Sequence, residues 1–153
     1  MSELNKIQFS TERMYLRVLN EKVYSELYKT KEDLFIMNYL GINSIEELEI
    51  EKEKYKLGLT AYDRTFEVFQ MIDKLSGKLI GMTGFVRIWH KHRRAEIGYA
   101  LYDKVFEGKG YTSEATIPLI KYGFTKLNLN RIEAIVAPEN TASLKIIEKL
   151  GMQ

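Results

Sequence analysis

Residues 105–115 read VFEGKGYTSEA, and their types and spacing suit an anion-holding turn. Gly108 and Gly110 flank Lys109; Tyr111 and Thr112 follow, and then helical periodicity begins. Glycine permits positive backbone angles and a close approach of main chain to ligand. A turn of this kind at the start of a helix aims several N–H groups, with the positive end of the helix dipole, at one point. Phosphate is the group that such a point suits best. The same spacing also serves a tight strand-to-helix turn that holds nothing, so the glycines alone leave both readings open.

Two common phosphate loops fit poorly. A nucleotide P-loop would need glycine where Asp103 stands and Ser or Thr where Gly110 stands. The dinucleotide fingerprint finds Gly108 and Gly110 but meets Ser113 at its third glycine. It also wants an acid roughly 20 residues on. Glu139 lies too far along, and too little chain follows it to finish a doubly wound domain. A nicotinamide-dinucleotide enzyme is therefore the lesser reading. His90 and His92, two apart beside Trp89, have one-sided spacing in a strand, but no nearby carboxylate or cysteine completes a metal site. They read as loop residues, and no metal is expected.

The elements that must carry the loop follow from periodicity. Residues 12–19 alternate as a strand. Asn20 caps a helix that presents Val23 and Leu27 to a core. Residues 30–43 are mixed, with Gly41 and Asn43 as breakers. Ser44 and Glu47 have capping-box spacing for a second helix, with Ile45, Leu48, Tyr55 and Leu59 on one face. Its acids, Glu46, Glu47, Glu49, Glu51 and Glu53, read as a solvated face. Residues 65–74 and 79–88 form an antiparallel hairpin about the turn at Gly77, with Gly81 and Gly84 marking bulges or close backbone approach. Residues 95–102 are a fourth strand, leading straight into the glycine loop. A helix over 112–127 turns Ala115, Leu119, Ile120 and Phe124 inward, with a kink expected at Pro118. A fifth strand spans 131–138, and a last helix runs over 140–151 from an Asn140 cap to Gly151. Strand, loop, helix and strand in that order make a parallel crossover beside antiparallel neighbours, so the fold class is a mixed α/β sheet.

Length and composition bound the function. The chain's 153 residues are one domain by size. A net charge of +2 is too balanced to argue for nucleic acid. With no cysteine there is no disulfide, thiolate metal site or cysteine nucleophile, which fits a cytoplasmic setting. No apolar run reaches membrane-spanning length, and the first residues lack the apolar core of a signal peptide.

Four stretches, in order, carry a resemblance. TERMYLRVL (11–19), RRAEIGYAL (93–101), GKGYTSEA (108–115) and PENTASLKIIEKLGM (138–152) resemble the GNAT N-acetyltransferases, and within them the Rim-type ribosomal-protein-alanine branch. The glycine loop resembles that family's Q/R-x-x-G-x-G/A acyl-CoA loop, with Val105 in place of Gln or Arg. The last stretch resembles the branch's Asn-x-x-Ser helix, with Met152 where Phe usually stands. The resemblance implies a GNAT fold whose fourth and fifth strands splay, and acetyl-CoA as co-substrate. It implies direct transfer of acetyl to a primary amine: a protein N-terminus, a polyamine or a small amine.

The resemblance also implies roles. Backbone amides from Phe106 to Thr112 would grip the pyrophosphate, Gly108 and Gly110 allowing the approach, with Tyr111 in the turn and Thr112 adding its hydroxyl. Lys109 is placed to lean on a phosphate or to sit in solvent. The pantetheine arm would pair with the edge at Ala100, Leu101 and Tyr102. Glu96 matches a glutamate that works through water; its alternative is a partner for Arg93 or Arg94. Ser143 matches a serine near the CoA sulfur, and Asn140 a contact to the pantetheine arm beside its capping role. The family's usual acid is a tyrosine four residues after that serine, and Ile147 stands there. A CoA-binding module without catalysis is thus a second reading. Tyr39 is a candidate for the acceptor pocket. Two further strands are implied after the last helix, so an incomplete sheet is expected. Its exposed fifth strand would invite pairing with a second copy, and hence a homodimer.

Overall fold

The computed structural model describes residues 1–60 and 64–153. Among the described residues, six strands form one sheet in sequence order: β1 (Ile7–Ser10), β2 (Met14–Leu19), β3 (Arg64–Asp73), β4 (Leu79–Trp89), β5 (Arg94–Leu101) and β6 (Arg131–Glu133). All neighbours are antiparallel except β5 and β6, which are parallel. The helices are α1 (Glu21–Thr30), α2 (Asp33–Leu40), α3 (Ile45–Leu57), α4 (Tyr111–Thr125) and α5 (Thr141–Lys149).

The sheet is buried on both faces because its strands alternate two apolar sets. Met14, Leu16, Phe69, Met71, Phe85, Ala95 and Ile97 pack with Ala115 and Leu119 of α4 on one face. Leu19 and Val68 pack with Val23, Leu27, Ile36, Tyr39 and Leu48 of α1–α3 on the other. Local chemistry fixes several helix starts. Asn20 accepts the Val23 N–H at 3.2 Å, and Ser44 accepts that of Glu47 at 3.1 Å. The Glu47 carboxylate reaches back to the Asn43 N–H, one residue before the expected capping-box partner.

Several expectations need correction. β1 and α2 are additional elements; α2 occupies part of the stretch read as mixed, ending at Gly41 in the left-handed region. The fifth strand is three residues long, not eight, because its pairing to β5 stops at Glu133. Phe124 points outward, 45% exposed, and Gly123 takes the inward place against Phe85 and Ile132. Ile45 is exposed and Leu59 lies beyond α3. α4 runs from Tyr111 to Thr125, starting one residue earlier and ending two sooner than expected, with Pro118 inside it.

Gly84 shows how tightly β3 and β4 approach. Its φ is +145°, and a Cβ there would lie 2.6 Å from the Val68 Cα and 2.8 Å from the Glu67 carbonyl oxygen. Both obstacles are backbone, so neither can rotate away. Gly84→Ala is expected to cost about 3 kcal/mol or more, read as a lower denaturant midpoint or loss of soluble protein.

Candidate active site

The parallel ladder of β5 and β6 joins Arg94 to Arg131, Ala95 to Ile132 and Glu96 to Glu133, and then ends. Beyond Glu96, β5 keeps only its β4 neighbour. The Tyr102 N–H donates to Ile80 across β4, and the Gly98 carbonyl accepts from Thr83 on the same side. Strand alternation therefore turns the N–H and C=O groups of Tyr99 and Leu101 to the open edge. Of the expected edge at Ala100–Tyr102, Leu101 presents its backbone, while Ala100 and Tyr102 face β4.

The glycine loop lies at the far end of this edge. Asp103 opens a short 3-10 turn over Lys104–Phe106, and its carboxylate accepts the Val105 N–H. The Phe106 N–H donates to the Asp103 carbonyl at 3.1 Å, so Phe106 enters the site through its ring and not its amide. Gly108 and Gly110 then take φ of +68° and +80°. The first bond of α4 runs from the Glu114 N–H to the Gly110 carbonyl, which leaves the N–H groups of Tyr111, Thr112 and Ser113 without helical partners. Gly110, the residue before the helix, has no side chain to cap them. These donors open on a cleft of about 330 Å³ lined by Leu101, Phe106, Gly108, Gly110 and Thr112 on one wall and Thr141, Ala142 and Lys145 of α5 on the other. Donors in this order fit an extended ligand with an anionic end: a sheet edge first, then a helix N-terminus.

A brace holds the loop from behind, and sequence reasoning missed it. The Arg13 guanidinium stacks 3.9 Å over the Tyr111 ring, donates to the Lys109 carbonyl at 3.0 Å and pairs with Glu114 at 2.6 Å. Glu114 also accepts from the Thr11 hydroxyl and the Arg13 N–H. Burial alone would push the Glu114 carboxyl up, but these hydrogen bonds outweigh it and hold it below the usual carboxylate range. The partners stand about a hundred residues apart, so no local pattern announces them. Lys145, on the α5 wall, was likewise not singled out.

Glu96 sits at the vertex of the splay. Ala95 and Ile97 point into the α4-side core, so Glu96 faces the other side. Its carboxylate pairs with Arg87 at 2.6 Å. Arg93 goes to Asn128 instead, and Arg94 to Glu133. Asn140 accepts the Ser143 N–H at 3.1 Å and so caps α5. Ser143 lies in the first turn of α5, and its carbonyl accepts from the Tyr99 hydroxyl at 3.3 Å.

A second cleft, of about 560 Å³, opens on the α1–α3 face. Tyr24, Glu47, Glu51, Lys54, Gln70, Met82 and Tyr102 are among its walls. Glu51 was expected on a solvated face; it is half-buried here, paired with Lys54 at 2.6 Å. Burial, and then the Glu51 charge, push the phenols of Tyr24 and Tyr102 up, and that of Tyr28 up to about 12. Tyr39 does not line this cleft. It is buried under Arg17, whose guanidinium lies 3.8 Å from its ring centre, and its carbonyl accepts from Arg17 and Gln70. His90 meets Thr65 at 2.7 Å, and no group of three metal-ligating side chains gathers among the described residues.

Comparison with known proteins agrees with this geometry. Residues 13–153 match the model of the acetyltransferase (GNAT) domain. An uncharacterized N-acetyltransferase, p20, of Bacillus licheniformis is 37% identical over 94% of this chain and 80% of its own length. The spermidine N(1)-acetyltransferase of Escherichia coli is 35% identical over 54% of this chain and 44% of its own. The crystal structure of a GNAT-family acetyltransferase from Bacillus anthracis superposes with a TM-score of 0.61, at 28% identity, covering 94% of this chain and 82% of that one. The chain belongs to the GNAT acetyltransferase family and is an N-acetyltransferase. The family uses acetyl-CoA as co-substrate. A mostly antiparallel sheet also sets aside the doubly wound, dinucleotide-binding reading. Among the described residues, no helix is long and apolar enough to cross a membrane.

Replacing Glu114 by Gln should loosen the brace. We expect a loss of about 1–2 kcal/mol at neutral pH, seen as a lower thermal midpoint. A carboxyl held low in the folded state stabilises above its unfolded value, and the effect fades as pH falls through the folded value. The gap between Glu114→Gln and the parent should therefore close as pH drops below about 4.3.

Proposed function

We propose that this chain binds acetyl-CoA along the β5 edge and the start of α4, and passes its acetyl group directly to a primary amine in a ternary complex. The observation that carries the reading is the uncapped N-terminus of α4, opening between Gly110 and α5. Three unpartnered amides, with Lys145 opposite, suit a pyrophosphate; the N–H and C=O of Leu101 and Tyr99 suit the amides of the pantetheine arm. Lys109 lends its carbonyl to the brace, which leaves its side chain free to meet the phosphates.

The acceptor enters through the cleft of the α1–α3 face. An amine attacks only when neutral, so its proton must leave. Glu96, at the splay on that same face, takes the proton through water by the carboxylate oxygen that Arg87 does not hold. The backbone N–H groups of β5 face the developing oxyanion. Glu47, Glu51 and the tyrosines of the cleft suit a cationic acceptor, so spermidine is the first amine to assay, on the strength of these walls and of the spermidine-acetylating relative. The loop GKGYTSEA makes a peptide with an N-terminal alanine the second. A cytoplasmic setting goes with this reading, as does a second copy pairing along the open β6 edge.

Calorimetric titration with acetyl-CoA tests the core of it, with NADH as control. Acetyl-CoA should bind and NADH should not. Gly110→Val puts a branched side chain at a positive φ beside the Arg13 guanidinium and should weaken acetyl-CoA binding at least about 10-fold, roughly 1.4 kcal/mol. Unchanged affinity in that variant would place the phosphates elsewhere.

A further inference from the structure

The family's usual acid is missing at Ile147, yet the departing thiolate of CoA needs a proton. Among the tyrosines of the α4–α5 side, two are committed elsewhere. Tyr111 lies under Arg13 and edge-on to Phe106. Tyr122 donates to Glu67 at 2.6 Å, packed against Phe9 and Phe69. Tyr102 belongs to the acceptor cleft. Tyr99 is different in position. Its backbone lies on the open edge of β5, three residues past the last residue paired with β6, and its ring shares the face of Ala95 and Ile97. Its hydroxyl crosses to the first turn of α5 and gives its proton to the Ser143 carbonyl.

We propose that Tyr99 is the acid of the reaction: its hydroxyl turns from the Ser143 carbonyl to the CoA sulfur and protonates it as the thioester breaks. The inference rests on the acetyl-CoA reading above. The acceptor nitrogen forms its bond to the acetyl carbon, and the carbon–sulfur bond breaks with its electron pair going to sulfur. Sulfur takes the phenolic proton, and the proton shed by the amine returns to the phenolate through water, so charge and atoms balance. Three features carry this. The phenol stands beside the edge where the pantetheine arm would end. A phenol keeps its proton at neutral pH and can donate it. The Ser143 carbonyl is a neutral acceptor at 3.3 Å, long for a hydroxyl hydrogen bond, and a thiolate is a stronger claimant.

The test uses the full chain and Tyr99→Phe, which keeps the ring. In the first measurement CoA itself is bound and its thiol is titrated by the ultraviolet absorbance of the thiolate. Lys145 on α5, and Glu96 and Glu133 with Arg87, Arg94 and Arg131 at the vertex, are the charged groups around the splay. All of them are present in both proteins, so the difference isolates the phenol. The bound thiol should lose its proton about one pH unit higher in Tyr99→Phe, because a hydrogen bond to the thiolate is gone. In the second, thiol release with spermidine and with an alanyl peptide should show kcat down about 100-fold, with KM for acetyl-CoA within about two-fold. A hydroxyl that only ties β5 to α5 would instead lower the thermal midpoint and raise KM, leaving the thiol titration unmoved, and that result overturns the proposal. If CoA binds and titrates alike in both proteins, the acid is elsewhere while the acetyl-CoA reading stands. If CoA fails to bind either protein, both fall.

Discussion

The site depends on where one ladder stops. β5 and β6 share three residue pairs and then part, so the backbone of β5 from Ile97 onward has a partner on one side only. An unpaired edge inside a sheet is costly unless something completes it, since each N–H and C=O left dry lacks a hydrogen bond. A ligand with its own amides can complete it. The same parting brings the start of α4 opposite the first turn of α5, and this is what turns an ordinary crossover into a cleft. Glu96 stands at the vertex, Tyr99 on the edge, and the three free amides of α4 at the far end. One geometric event thus places Glu96, the open edge and the free amides along one strand and its crossover.

The rest of the fold keeps that event in place. The buried set from β2 to β5 packs on Ala115 and Leu119 and fixes the axis of α4. Arg13 and Glu114 fix its rotation by tying the first turn to the start of β2. A charged pair, one end half-exposed, would contribute little by itself. Here it is joined by the Thr11 hydroxyl, the Arg13 N–H and the Lys109 carbonyl, so its loss unfastens several groups together. On the opposite face, Arg17, Tyr39 and Gln70 do similar work, pinning α2 against β2 and β3, and Gln70 also lines the cleft of that face.

What could be read from the sequence was local. Asn20, Ser44 and Asn140 cap helices because a side-chain oxygen within three residues finds a free N–H, and the expected β3–β4 hairpin and glycine loop are of the same kind. What could not be read was set by tertiary contact. Residues 131–138 have strand character throughout, but the splay ends β6 after three residues. DLFIMNYL has apolar residues nearly all round and no capping side chain, so α2 shows no clean period. Phe124 and Gly123 exchange their expected places because α4 lies close on Phe85 and Ile132, where a Cβ at Gly123 would come within 2.8 Å of both side chains. Glu51 sits among other acids of α3, and only the fold reveals that it faces tyrosines. The resemblance put the donors at Phe106 to Thr112; the Phe106 and Glu107 amides are already bonded within the 3-10 turn, and the free helix-start donors run on to Ser113.

The most direct test of the account is amide hydrogen exchange, residue by residue, with and without CoA. Slowed exchange at Tyr99 and Leu101 together with Tyr111, Thr112 and Ser113 is the predicted result, since these are the amides that the splay and the bare helix start leave free. Binding that slows exchange in the cleft of the α1–α3 face or along β6, and leaves those five amides unchanged, would contradict it.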